Sequence, residues 1–366
     1  MQLLPQPNNE QPLVEGIRLA HCNTSDCSAF FKTYGVQEGL QIEILNGQVQ
    51  CQMDAAWMRS FTPNCSTLSL HLHAENLKQE ILWSMLVSPH GFQFNHLDAL
   101  ASAVRVRENI AIAARKTAVA FKTEAAERPT EFWRYEEHAG FILQSGTSLI
   151  KALICATQPD ATGRLFDFSC YRASEYVILL GLAQEAEEHN PALLHRLQQL
   201  NEKHAVRSGQ FHDVFLHEYG SLETPLPPHF FVPGDRLWFR NPNEPSSDVT
   251  GYEGSWVIYM GEGLFSNFWK RDQPFTLLSK CLEIYHWRDG FKTHENGEAW
   301  MDEVVVEACV ANTLQQPDKL EAVLSQMMRM RDPKGVYAEG GCLDATRECP
   351  KQIHPTHDEL VLPQIP

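Results

Sequence analysis

Hydrophobic and polar positions change their period along this chain, and the changes divide it into regions of different structure. Up to about residue 90, short β-like runs such as "LQIEIL" and "STLSLHLH" sit among turns bearing Pro, Asn and Cys. That is the pattern of small strands. From "FNHLDALASAVRVRENIAIAARKTAVAFKT" onward the period lengthens. Leu97, Leu100, Ala101 and Val104 recur at helical spacing, Asn95 stands available as a cap, and Arg105, Arg107 and Glu108 fall mostly on the other face. The spacing predicts a long amphipathic helix. Next, "EFWRYEEHAGFIL" is aromatic-rich and half alternating, which predicts a strand or hairpin. The run "CYRASEYVILLGLA" is apolar enough for a buried helix. After it, "NPALLHRLQQLNEKHAVR" offers Asn190 as a cap and Pro191 at the first helical position.

Antiparallel strands are expected after these helices. In "HFFVPGDRLWFR" a turn at Pro233-Gly234-Asp235 feeds a strand with Leu237 and Phe239 on one face. "GSWVIYMGEGLFSNFW" reads as two strands joined through Gly261-Glu262-Gly263. The tail beyond Asp332, dense in Gly, Pro, His and Cys, is expected to be irregular. Helices and strands are thus segregated along the chain, which indicates α+β rather than alternating α/β.

Composition narrows the classes of function. The 366 residues are 43% hydrophobic, enough for one large domain or two modest ones. With 46 acidic against 30 basic residues, the net charge of -16 argues against nucleic acid or an anionic membrane as partner. The N-terminus "MQLLPQPNNEQPLVEG" lacks the charged and apolar regions of a secretory signal, and the longest apolar run, "YVILLGLA", is too short to span a bilayer. A soluble protein, cytoplasmic by default, is expected. Ten cysteines are then expected as free thiols. Cys342, Cys349, His354 and His357 match no usual zinc spacing, and no carboxylate or cysteine repeats the spacing of His71 and His73 nearby, so no metal site is expected.

One stretch carries candidate chemistry: "GRLFDFSCYRASEYVILLGLA", Gly163 to Ala183. The switch from polar Asp167 and Ser169 to an apolar run places Cys170 in the first turn of a helix whose body, Tyr176 to Leu182, is buried. A helix N-terminus presents unpaired N–H groups and the positive end of the macrodipole. There a thiolate, the nucleophilic form, is favoured, and the same N–H groups can hold the oxyanion of a tetrahedral intermediate. The alternative is a small core cysteine with no chemistry. A nucleophile also needs a base and an orienting group. The following strands offer His229, Ser255 and Asn267, with Glu253 close to Ser255.

The segment from about Phe92 to Gly290 resembles the small bacterial protein-glutamine gamma-glutamyltransferases that cross-link spore coats. The likeness is carried by "ALASAVRVRENIAIAARKT", "FWRY", the aromatic-acidic approach to Cys170, "HFFVPGDRLWFRNP" and "YEGSWVIYMGEG". It implies a papain-like, transglutaminase-like α+β core, with the nucleophile at a helix N-terminus packed against an antiparallel sheet. The family portion would be residues 91–300. Residues 1–90 would be an extension of unknown role, and 301–366 a helical and then irregular one.

By this resemblance Cys170 attacks a protein glutamine amide, expels ammonia and forms a thioester that a lysine amine resolves into an isopeptide bond, with no cofactor. The sequence departs from the family where the resemblance implies acids. Ser255 stands at a catalytic glutamate, Ser169 at a second glutamate before the cysteine, and Asn267 near a histidine. Serine and asparagine do not replace a carboxylate or imidazole at neutral pH. His229 and Glu253 are the substitutes, and Glu253 would share a strand face with Ser255. The rival readings are a glutamine deamidase or other cysteine hydrolase, and a catalytically degenerate binding protein on the same scaffold.

Overall fold

A computed structural model describes residues 14–54, 56–57, 74–121, 126–206, 208–331 and 340–363. His71, His73 and the run "STLSLHLH" lie outside the described residues.

The first region builds a four-stranded sheet. Strand β1 (Ile17–Leu19) is followed by α1 (Thr24–Thr33), the hairpin β2 (Leu40–Leu45) and β3 (Gln48–Met53), α2 (Leu77–Leu86) and β4 (Phe92–Phe94). The strand order is β2-β3-β1-β4, with β1 antiparallel to β3 and parallel to β4. Ile17, Leu19, Phe31, Leu82 and Leu86 bury their side chains beneath it, together with Leu100 and Val104.

The long amphipathic helix is α3 (Leu97–Lys116). Its cap position is His96, without a side-chain cap bond, because the helix begins one residue later than a cap at Asn95 requires. Asn95 instead meets His357 at 3.1 Å. Arg107 also departs from the expected solvent face. It is buried, with Nη1 2.7 Å from Asp235 and 3.2 Å from the Pro233 carbonyl. A buried guanidinium is tolerable only with such a partner, and the partner lies far along the chain.

Then come β5 (Trp133–Glu136) and β6 (Gly140–Leu143), paired as the expected hairpin, and α4 (Leu149–Thr157). The central helix, α5, runs Cys170–His189 and is buried on most of its surface, from Ala173 through Ala186. It crosses α3 so closely that a Cβ at Gly181 would stand 2.4 Å from Ile110 Cγ1. Only glycine leaves room for that approach. Its polar residues are matched in place: Glu185 takes both Arg105 Nε (2.9 Å) and Nη2 (2.8 Å). Helix α6 (Pro191–Lys203) starts as its sequence dictates, Asn190 Oδ1 accepting from Leu193 N–H and Pro191 occupying the first turn. Helix α7 (Ser208–Phe215) leads into the second sheet.

That sheet has six strands, all antiparallel. They are β7 (Leu216–Tyr219), β8 (Arg236–Arg240), β9 (Gly254–Gly261), β10 (Leu264–Phe265), β11 (Phe275–Thr276) and β14 (Arg347–Pro350), in the order β11-β10-β9-β8-β14-β7. The single-turn helix α8 (Glu244–Ser247) links β8 to β9. Leu237 and Phe239 are buried together on β8. The β9–β10 turn has positive φ at Gly261 (85°), Glu262 (59°) and Gly263 (74°), and buried Glu80 of α2 accepts the Glu262 N–H.

After β11 the chain forms α9 (Leu277–Gly290), the hairpin β12 (Phe291–Thr293) and β13 (Ala299–Met301), α10 (Glu303–Leu314) and α11 (Pro317–Met327). Beyond β14 a small ladder closes the chain, β15 (Ile353–His354) with β16 (His357–Asp358). The tail is therefore not irregular throughout. Cys342 and Leu343 are buried in a core with Leu282, Ile284 and Met327, and β14 fills the place between β7 and β8. Four residues are too few to show a period, and the strand's partners lie more than a hundred positions earlier, so local pattern does not reveal it. Among the described residues no helix is long and apolar enough to cross a membrane.

Candidate functional site

The approach to Cys170 is held on both sides. Phe168 N–H donates to the Ala120 carbonyl and Ala120 N–H to the Phe166 carbonyl, each at 2.9 Å. The Arg128 guanidinium lies 3.4 Å from the centre of the Phe168 ring. Ser169 has extended backbone and caps the helix, its Oγ accepting from Arg172 N–H at 3.2 Å. Cys170 is thus the first residue of α5, as the polar-to-apolar switch predicts. Behind the first turn, buried Arg236 of β8 lies 4.8 Å from the ring centres of both Tyr171 and Trp256 and is paired with Glu348 of β14. Tyr171 packs edge-on against Trp256 at 5.0 Å, and Trp256 stacks on Trp238 at 5.7 Å.

Two influences compete at the part-buried sulfur. Burial raises the thiol above its ordinary value, and this effect is the larger. Backbone N–H groups of Trp256, Tyr171 and Cys170 itself, with the charge of Lys280, pull it back part of the way. The donors that favour a thiolate are the kind that stabilise an oxyanion on a bound carbonyl.

Cys170 opens into a cavity of about 840 Å³. One wall is the helix head with Trp238 and residues 250–256. The other comes from the loop after β10, from α9 and from α10, including Val306, Val310 and Leu314. Of the residues singled out from the sequence, Cys170, Ser169, Glu253, Ser255 and Asn267 all line it, and His229 does not. His229 is exposed, on the segment ahead of β8. Glu253 is exposed and lies one residue before β9, so the strand's alternation stops short of it. Ser255 is part-buried, opposite Phe239. Asn267 is buried and engaged: Nδ2 donates to the Gln273 carbonyl (2.9 Å), and Oδ1 accepts from Lys270 N–H (3.1 Å) and Trp269 N–H (3.3 Å). It closes the 267–273 loop.

The sequence reading missed a charged pair in the same cavity. Lys280, only 3% exposed, places Nζ 2.7 Å from Glu283 and 3.8 Å from the centre of the Phe275 ring. The signal was present. Lys280 lies three residues after Leu277 and four before Ile284, on the apolar stripe of a helix. The α10 wall was also missed, because nothing in its own pattern ties it to Cys170.

For metals, His286, Asp289 and Cys309 place one ligand atom each within 4.8 Å of one another. Both ring nitrogens of His286 already have partners there, Asp289 at 2.6 Å and Thr313 at 2.8 Å. Cys342 packs 3.8 Å from Cys281, while His354 and His357 face each other across the β15–β16 ladder.

The family model for protein-glutamine gamma-glutamyltransferase matches residues 59–360. Among solved structures, a transglutaminase from Geobacillus stearothermophilus, without its C-terminal extension, is similar over 58% of this chain and 97% of that chain, at 17% identity and a TM-score of 0.38. No curated protein matches the chain.

Proposed function

This chain belongs to the protein-glutamine gamma-glutamyltransferase family, and from that premise we propose that it transfers the acyl group of a protein glutamine through a Cys170 thioester. The observation that carries the reading is the position of Cys170: first residue of a buried helix, open to a cavity, with backbone N–H groups around its sulfur. The thiolate attacks the side-chain amide carbon, and the oxyanion of the tetrahedral intermediate is held by those N–H groups. The intermediate collapses with protonation of the leaving nitrogen, releasing ammonia and leaving the thioester. An amine then attacks the thioester, loses its proton and regenerates the thiol. No cofactor enters the reaction, and the partners are a glutamine-bearing protein and an amine donor.

Proton transfer falls to a group other than Ser169, Ser255 or Asn267, since the first is spent on the helix cap and the last on its loop. Glu253 lines the cavity and is the general base in this reading, at hand for the incoming amine. Residues 91–300 carry the chemistry. The C-terminal segment contributes one cavity wall through α10, and so shapes what reaches the thiol.

Ammonia release from a glutamine-bearing protein, measured with and without a primary-amine probe, tests the proposal. Release that is accompanied by probe incorporation and abolished by Cys170→Ala is expected. Release without incorporation indicates hydrolysis instead. A folded wild-type protein that yields no ammonia from any glutamine substrate overturns the reading.

A further inference from the structure

A positive neighbour favours a thiolate, and among the described residues no histidine lines the Cys170 cavity. The cavity wall holds the charged or titratable groups Glu253, Glu283, Glu303, Glu307, Lys270, Lys280, Tyr171 and Tyr252. The four carboxylates oppose a thiolate. Tyr252 donates to Glu303 at 2.9 Å, and burial raises the phenols of Tyr171 and Tyr252, so both stay neutral near neutral pH. Lys270 is half exposed and pairs at 3.2 Å with exposed Glu307, where solvent screens it. Arg236 lies behind the Tyr171 and Trp256 rings and is neutralised by Glu348.

Lys280 differs from all of these. Its ammonium is withdrawn from water, at a cost that must be met by specific partners. The partners are Glu283, the Phe275 ring face at 3.8 Å and the Trp287 ring at 5.7 Å. Glu283 is itself about one-third exposed, and it anchors the ammonium. The helix start is fixed as well, by reciprocal bonds between Thr276 and Ser279. A lysine placed with this care on an otherwise apolar stripe, facing the nucleophile's cavity, has an electrostatic task.

We propose that the Lys280 ammonium, anchored by Glu283, Phe275 and Trp287, is the positioned charge that favours the Cys170 thiolate in a cavity lined by no histidine. The proposal rests on the reading of Cys170 as the nucleophile. Lys280 is a positioning residue in this scheme: it stabilises the charge on the sulfur and takes no part in bond making. Its effect on the sulfur runs in the required direction.

The test is the pH dependence of iodoacetamide alkylation at Cys170, followed by peptide mass spectrometry, which needs no acyl transfer. Lys280→Gln is expected to slow alkylation near neutral pH about tenfold and to move the titration to higher pH, with the fully ionised rate unchanged. Lys280→Arg keeps the rate within about threefold of wild type. A folded Lys280→Gln protein that titrates like wild type overturns the proposal. If Lys280→Gln does not fold, loss of the wild-type rate in folded Lys280→Arg overturns it equally. A wild-type protein that releases no ammonia while these alkylation shifts appear defeats the acyl-transfer reading and leaves this one standing.

Discussion

The head of α5 and the rest of the lining of the Cys170 cavity are built on different terms. Around the helix head the groups serve the position of one sulfur. Phe166 and Phe168 are tied to Ala120, Ser169 caps, Tyr171 is clamped between Trp256 and Arg236, and Gly181 lets α5 seat against α3. Elsewhere in the lining, the positions at which the family resemblance implies a carboxylate and, nearby, an imidazole hold Ser255, which is uncharged, and Asn267, whose polar atoms close a loop. Charge in the lining comes from other positions, among them Glu253 and the Lys280–Glu283 pair. The lesson is that a nucleophile's mount is a packing problem with few solutions, whereas proton transfer and charge can be supplied from several points of one cavity.

That contrast can be broken or sharpened experimentally. The largest effect is expected at Glu253: Glu253→Gln should lower the rate of ammonia release about a hundredfold, as loss of a general base does. His229→Ala, outside the cavity, should leave the rate unchanged. Equal losses in both variants would undo the distinction between groups that line the cavity and groups outside it. On the mounting side, Gly181→Ala forces a methyl group against Ile110 and should cost about 1–3 kcal/mol in urea-unfolding stability. An unchanged midpoint would mean that α3 and α5 are not held at that distance.

Comparing Cys170 with Cys349 gives a smaller effect. Burial pushes the Cys349 thiol up to about 12; Arg107 opposes this, and the charges of Asp235, Glu359 and Glu348 add to it. It faces no cavity that includes Cys170. At mildly alkaline pH, Cys170 should be labelled by iodoacetamide at least about ten times faster than Cys349. The reverse order in a mass-spectrometric time course would make Cys170 the ordinary core cysteine. Smallest of all, Ser169→Ala removes a cap and should cost about 1 kcal/mol of stability. Thermal unfolding reads this directly, and a loss several times greater would indicate that Ser169 does more than cap.

What the sequence disclosed follows the same division. Features fixed by neighbours in the chain were legible: Asn190 before Pro191, the Gly261-Glu262-Gly263 turn, the 133–143 hairpin, and Cys170 at its helix head. Features fixed by distant partners were not. Arg107 looked like a surface charge because Asp235 lies 128 residues away. Asn95 looked like a cap, when the helix starts one residue too late to use it. Lys280 went unread because the cavity it lines is closed by residues distant in the chain.

The place of β14 has a consequence for how the molecule is made. A strand more than a hundred residues beyond β8 lies inside the six-stranded sheet, and its Glu348 neutralises Arg236, the residue that backs Tyr171. On the ribosome, β8 emerges about a hundred residues before that partner, a delay of roughly 5–20 seconds at ordinary elongation rates. Throughout that interval the edge of β8 has no neighbour on one side, and a guanidinium destined for the interior must stay in water. The support behind Tyr171 is therefore completed only when β14 emerges, and until then the Cys170 cavity lacks the pairing that backs it.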